Sequence, residues 1–191
     1  MHAAAVWLRE IKERLPGGLD VEWRYFSLEQ VNQRAGEGVL VWTRPDGYES
    51  TGLEAFAAAE AGRRQARPDA WERLHQALLE TRHTGQKEPL TREVVERLAG
   101  DAGFDMQRFR ADLDDPSILE SLAEQHEAAT AEGVFGTPTL VFENGLSGFL
   151  KMMPAPTGDE AVRVWERVTA LVRDEPTIAE IKRPRKPRVS S

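Results

Sequence analysis

Apolar residues Ala4, Trp7, Leu8, Ile11 and Leu15 recur at helical spacing, with Arg9, Glu10, Lys12 and Glu13 on the opposite side. The pattern predicts a helix from residue 3 that stops at Pro16-Gly17-Gly18. "DVEWRYFSL" then alternates, with Val21, Trp23 and Tyr25 on one side and Glu22 and Arg24 on the other, as a strand does. Residues 32–52 are rich in turn formers, with Val39 to Trp42 as a short extended piece. Five helices are expected between 53 and 131. Their starts are marked by caps at Asp69, Thr91, Asp105 and Asp115, with Pro116 at a first helical position. Gly103 closes one of them. The period then changes. "PTLVFENG" and "GFLKMM" read as a hairpin over 138–153. A last helix follows in "TGDEAVRVWERVTALVRD", with Thr157 and Glu160 at capping-box spacing and Trp165, Val168 and Val172 as its buried stripe. Pro176 ends the ordered part.

The order is helix, strand, helical block, hairpin, helix, and it contains no internal repeat. Strand pieces from both ends of the chain must meet to bury their apolar faces, which leaves the helical block between them. The predicted class is α/β with an inserted all-helical domain. Residues 1–52 and 132–175 form the two parts of the sheet-bearing domain, 53–131 the insertion, and 176–191 a basic, unstructured tail.

Composition refines this outline. At 191 residues the chain can bury a sizeable core without staples. No apolar run reaches the ~18 residues of a membrane helix, and the first residues lack the basic leader and apolar core of a signal peptide, so a cytoplasmic protein is expected. The net charge is −7, yet residues 182–191 carry five basic side chains and no acid, so the rest of the chain stands at −12. An acidic body argues against a phosphate-backbone footprint, and nucleic acid is not an expected partner. The chain has no cysteine, which removes disulfides, thiolate nucleophiles and Cys-ligated metals from these residues.

Other chemistry is sparse. The four histidines, His2, His75, His83 and His126, form no metal-ligand spacing. His75 and His126 sit on amphipathic helices as surface or half-buried residues, and His83 suits a helix C-terminus. No phosphate-binding glycine motif and no isolated carboxylate pair occurs. The five tryptophans fall mostly on core stripes, and Met152 and Met153 fill the second strand.

Pro138 opens an apolar strand, the place where a missing N–H does least harm, and Gly136-Thr137 before it suits a tight turn. With its surroundings, "GVFGTPTLVF" resembles the cis-proline loop and following strand of thioredoxin-fold proteins of the DsbA type. "AAVWLREIKERL" and "VEWRYFSLEQVN" are similar to that family's first helix and next strand, and "ALLETRH" and "VVERLAGDAGFDMQRFRADL" to its inserted helical domain. The resemblance spans roughly residues 3–175. It implies a thioredoxin-like sheet with a helical insertion, thiol–disulfide oxidoreductase chemistry, and a substrate-backbone site at Gly136, Thr137 and Pro138, with His2 flanking it. The expected partner is a protein thiol or peptide, or glutathione as a small-molecule ligand. No other cofactor is expected, and a homodimer is compatible with this reading.

The chain departs from the resemblance at one point. The family's strand and Cys-x-x-Cys motif would fall before "HAAAVWL". Two readings stand: an upstream segment carries them, or the chain is a degenerate member. Thiol–disulfide exchange needs a thiolate, so the chain as written is expected to be redox-inactive. Two alternatives remain beside the oxidoreductase label. One is a glutathione-dependent isomerase or kappa-type transferase, and the other a non-enzymatic peptide-binding module using the proline groove.

Overall fold

Residues 1–33, 38, 40–44, 50, 52–84 and 88–181 are described by a computed structural model. Among them the chain forms eight α-helices and a two-stranded antiparallel sheet. Helix α1 spans His2–Arg14, α2 Leu28–Val31, α3 Leu53–Arg64, α4 Pro68–His83, α5 Arg92–Ala102, α6 Met106–Asp114, α7 Ser117–Ala131 and α8 Asp159–Asp174. Strands β1 (Thr139–Val141) and β2 (Ser147–Phe149) pair with Thr139 opposite Phe149 and Val141 opposite Ser147. The secondary structure is therefore mostly helical.

Two apolar clusters hold the fold. The larger gathers α3 to α7 around Ala57, Leu74, Val95, Phe109 and Leu122, and it draws in Tyr25, Val41 and Trp42. The smaller is built on Trp7, Leu8, Ile11 and Ala161, with Val21, Trp23, Leu140 and Trp165 half-buried against it. Trp7 is fully buried, and its indole N–H donates to the Ala161 carbonyl at 3.0 Å. That bond ties α1 to the first turn of α8. Helix α8 buries few residues, because Val164, Trp165 and Val168 are only partly covered.

Several local expectations hold. Asp105 caps α6 by accepting from the backbone N–H groups of Gln107 and Arg108. Gly103 closes α5 at φ 90°. Asp115 accepts from the Ser117 N–H at 2.9 Å. Other boundaries move. Helix α4 begins at Pro68, one residue ahead of Asp69, because proline fits the first helical position. The cap position of α8 falls on Gly158 with no side-chain bond from Thr157, and Glu10 of α1 accepts the Gly158 N–H instead.

Four expectations are corrected. Residues 21–25 form no strand ladder. Their alternation is real, with Tyr25 buried and Glu22 and Arg24 exposed, but side chains of the helices take the place of a neighbouring strand. The Arg63 guanidinium donates to the Trp23 carbonyl at 2.8 Å, Gln125 Oε1 accepts the Tyr25 N–H at 3.3 Å, and His126 Nδ1 accepts the Ser27 N–H at 3.2 Å. The expected extended piece Val39–Trp42 is instead a 3-10 turn over Val41–Thr43, with Val39 outside the described residues. His126 is buried, not superficial, and lies between the rings of Phe26 and Trp42. Met153 is 83% exposed, because β2 ends at Phe149 and leaves it beyond the sheet. Of the tail expected over 176–191, residues 182–191 lie outside the described residues.

Candidate functional site

Helix α7 runs out at Ala131, and Gly133 at φ 82° turns the chain toward the sheet. The next residues build one wall of a cleft of about 1000 Å³. The Thr139 hydroxyl donates to the Gly136 carbonyl at 2.7 Å and fixes the loop ahead of β1. The Leu150 N–H donates to the Pro138 carbonyl at 3.0 Å and fastens the loop to the strand opposite. The Thr137–Pro138 peptide is cis, as is Met153–Pro154. A Cβ on Gly136 would stand 3.0 Å from the Phe149 ring, so only glycine lets that ring lie directly beneath the loop. Phe135 then packs on Phe149 with centroids 5.3 Å apart.

The four residues nominated from the sequence, His2, Gly136, Thr137 and Pro138, all line this cleft. His2 stands at the start of α1, and its Nε2 is buried without a hydrogen-bond partner. Residues 23–29, which run into α2, and one face of α3 and α4 complete the walls. Sequence reasoning missed the apolar rim. Phe135 is 69% exposed, Phe149 42% and Met153 83%, and all three line the cleft. The signal was present, since Phe135 sits between two glycines of a loop where no core awaits it, and exposed apolar side chains gathered in one place mark contact surfaces.

Strand pairing leaves β1 with an open edge. The Leu150 N–H to Pro138 carbonyl bond and the Phe142 N–H to Leu146 carbonyl bond set the register of alternate residues toward β2. The backbone groups of Thr139 and Val141 therefore point away from β2, and no described residue bonds them.

Between the cleft and α4 lies an aromatic and cationic assembly. His75 packs against Trp23 at 4.5 Å and stacks on Trp71 at 4.7 Å. Arg63 lies over the Tyr25 and Trp71 rings at 5.1 and 5.5 Å. Burial lowers the His75 pKa to about 4, with the Arg63 charge adding to the effect and Glu72 opposing it. The Tyr25 phenol is pushed far up by burial, with Arg63 acting against this and Glu60 with it. Near pH 7 both groups are neutral. Among the described residues no three His, Asp or Glu side chains gather as metal ligands, and no helix is long and apolar enough to cross a membrane.

Comparison with known proteins places the sequence beside one family. The profile of the DSBA-like thioredoxin domain covers residues 3–157. The chain is 28% identical over 186 residues to the uncharacterized protein Rv2286c of Mycobacterium tuberculosis (strain ATCC 25618 / H37Rv), spanning 97% of this chain and 77% of that protein. A 54-residue stretch is 39% identical to the Na(+)/H(+) antiporter NhaA of Herminiimonas arsenicoxydans, but it covers only 28% of this chain and 9% of the antiporter. With a family profile running through most of its length, from α1 to the residue before the α8 cap, the chain belongs to the DSBA-like thioredoxin domain family.

Proposed function

We propose that the chain is a polypeptide-binding member of this thiol–disulfide oxidoreductase-like family, and that it holds an extended segment in the cleft beside Pro138. The observation that carries this reading is the exposed aromatic ledge of Phe135, Phe149 and Met153 set beside the Pro138 loop in one cleft. Phe135, Phe149 and Met153 offer a seat for the apolar side chains of a polypeptide. Family membership supports the same use of the loop. These 191 residues contain no cysteine, so they supply no thiolate to attack a disulfide, and any exchange at this groove draws its thiol from elsewhere. The helical block 53–131 is read as an insertion whose α3 and α4 faces form the far wall.

The test is fluorescence anisotropy with a labelled, thiol-blocked, permanently unfolded polypeptide. Saturable binding is expected, and Phe135→Ser with Met153→Ser should weaken it by about tenfold or more, because each removes desolvated apolar area from the interface. Both positions are exposed, so the helical circular dichroism should not change. Undiminished binding by the double variant would overturn the reading. Saturable glutathione binding with no polypeptide binding would favour the small-ligand alternative.

A further inference from the structure

A second cleft, of about 790 Å³, opens on the other side of His75, between α1, residues 21–23 and α4. It shares His2, Trp23, His75 and Leu79 with the first cleft but contains none of the Pro138 loop. Three of its features point to a ligand. Its volume lies in the range of small-molecule sites, and its wall is aromatic. One imidazole nitrogen stands in it buried and unsatisfied, His2 Nε2, and His75 lines it with its ring packed against Trp23 and Trp71 and no hydrogen bond from a described residue. Its charge runs against that of the molecule. The lining carries five Lys or Arg side chains against three carboxylates, in a chain of net charge −7.

We propose that this second cleft binds a small planar organic anion, its ring against Trp23 and Trp71, its charge toward Arg9 and Arg63, and its polar edge at the free nitrogens of His75 and His2. Arg63 is already oriented by its bonds to the Trp23 carbonyl and the Tyr25 hydroxyl. The Lys12–Glu72 ion pair joins α1 to α4 along the same cleft. Neutral His75 can donate from one nitrogen and accept at the other near pH 7, so it orients a ligand without adding charge. This site stands independently of the polypeptide reading.

The experiment is calorimetric titration of the full chain with naphthalene-2-sulfonate, and with naphthalene-2-sulfonamide as its near-isosteric neutral partner. The sulfonate should bind saturably and the sulfonamide about tenfold more weakly, because the charge-assisted contact is lost. Arg9→Gln should weaken sulfonate binding about five- to tenfold with no change in thermal midpoint, as Arg9 is exposed. His75→Phe keeps a stacked ring, removes both nitrogens and should weaken binding similarly. Equal affinity for the two compounds, no effect of either variant, or no saturation by about 5 mM would overturn the proposal. Loss of sulfonate binding on Phe135→Ser with Arg9→Gln silent would place the ligand in the first cleft, and would also overturn it.

Discussion

His75 is a residue whose surroundings alter its chemistry near physiological pH. Its folded pKa of about 4 lies below the ordinary 6.5, so the unfolded chain takes up the proton first. Stability is then complete above about pH 6.5 and is lost as pH falls toward 4, by up to about 3 kcal/mol, since each pKa unit is worth ~1.4 kcal/mol. The thermal midpoint should drop across that window, and the drop should be shallower in His75→Phe. A parallel pH profile for the two proteins would show that His75 is not the group responsible. Gly136 tests the loop in the same way. A methyl group there meets the outer edge of the exposed Phe149 ring at 3.0 Å, so Gly136→Ala must shift that ring and should weaken polypeptide binding with it. His126 is a third case. It accepts the buried Ser27 N–H, and His126→Ala strands that donor at a cost of about 1–3 kcal/mol in chemical denaturation.

At the scale of elements, the helices were legible in the sequence because side-chain period and caps are local properties. The stripe Ala4, Trp7, Leu8, Ile11 is the buried face of α1, and Asp105 and Gly103 stand where caps were expected. The segment 21–25 shows the limit. Its alternation sorts the side chains correctly, but a strand is defined by a neighbour, and here Arg63, Gln125 and His126 serve that edge from distant helices. No periodicity within nine residues contains that information. The site was legible in part. Gly136, Thr137 and Pro138 carry a recognisable motif, whereas the ledge of Phe135, Phe149 and Met153 was hidden by the default that large apolar residues go inside. The sheet also depends on one close approach. A Cβ on Gly148 would fall 2.9 Å from Val172 of α8, so Gly148→Ala should push β2 off the helix and cost about 1–3 kcal/mol. An unchanged denaturation midpoint in that variant would contradict the packing of β2 on α8.

On the scale of the whole molecule, two apolar clusters of unequal completeness meet at the cleft. The helical cluster around Leu74, Phe109 and Leu122 is fully buried, while the cluster on α1 and α8 leaves Trp165, Val168 and Leu140 half-covered and the β1 edge open. The residues of the proposed site stand at that less complete side, where burial by a bound polypeptide would remove the most exposed apolar surface. The most direct measurement is amide hydrogen exchange of the full chain, followed by NMR with and without the thiol-blocked unfolded polypeptide. If a polypeptide lies against the loop beside Pro138, the Phe135, Gly136 and Thr137 amides should slow by about tenfold or more on binding, while the helix interiors of α5 and α6 stay as they were. Binding that leaves these loop amides exchanging at their free rates would contradict polypeptide binding as the function of this cleft.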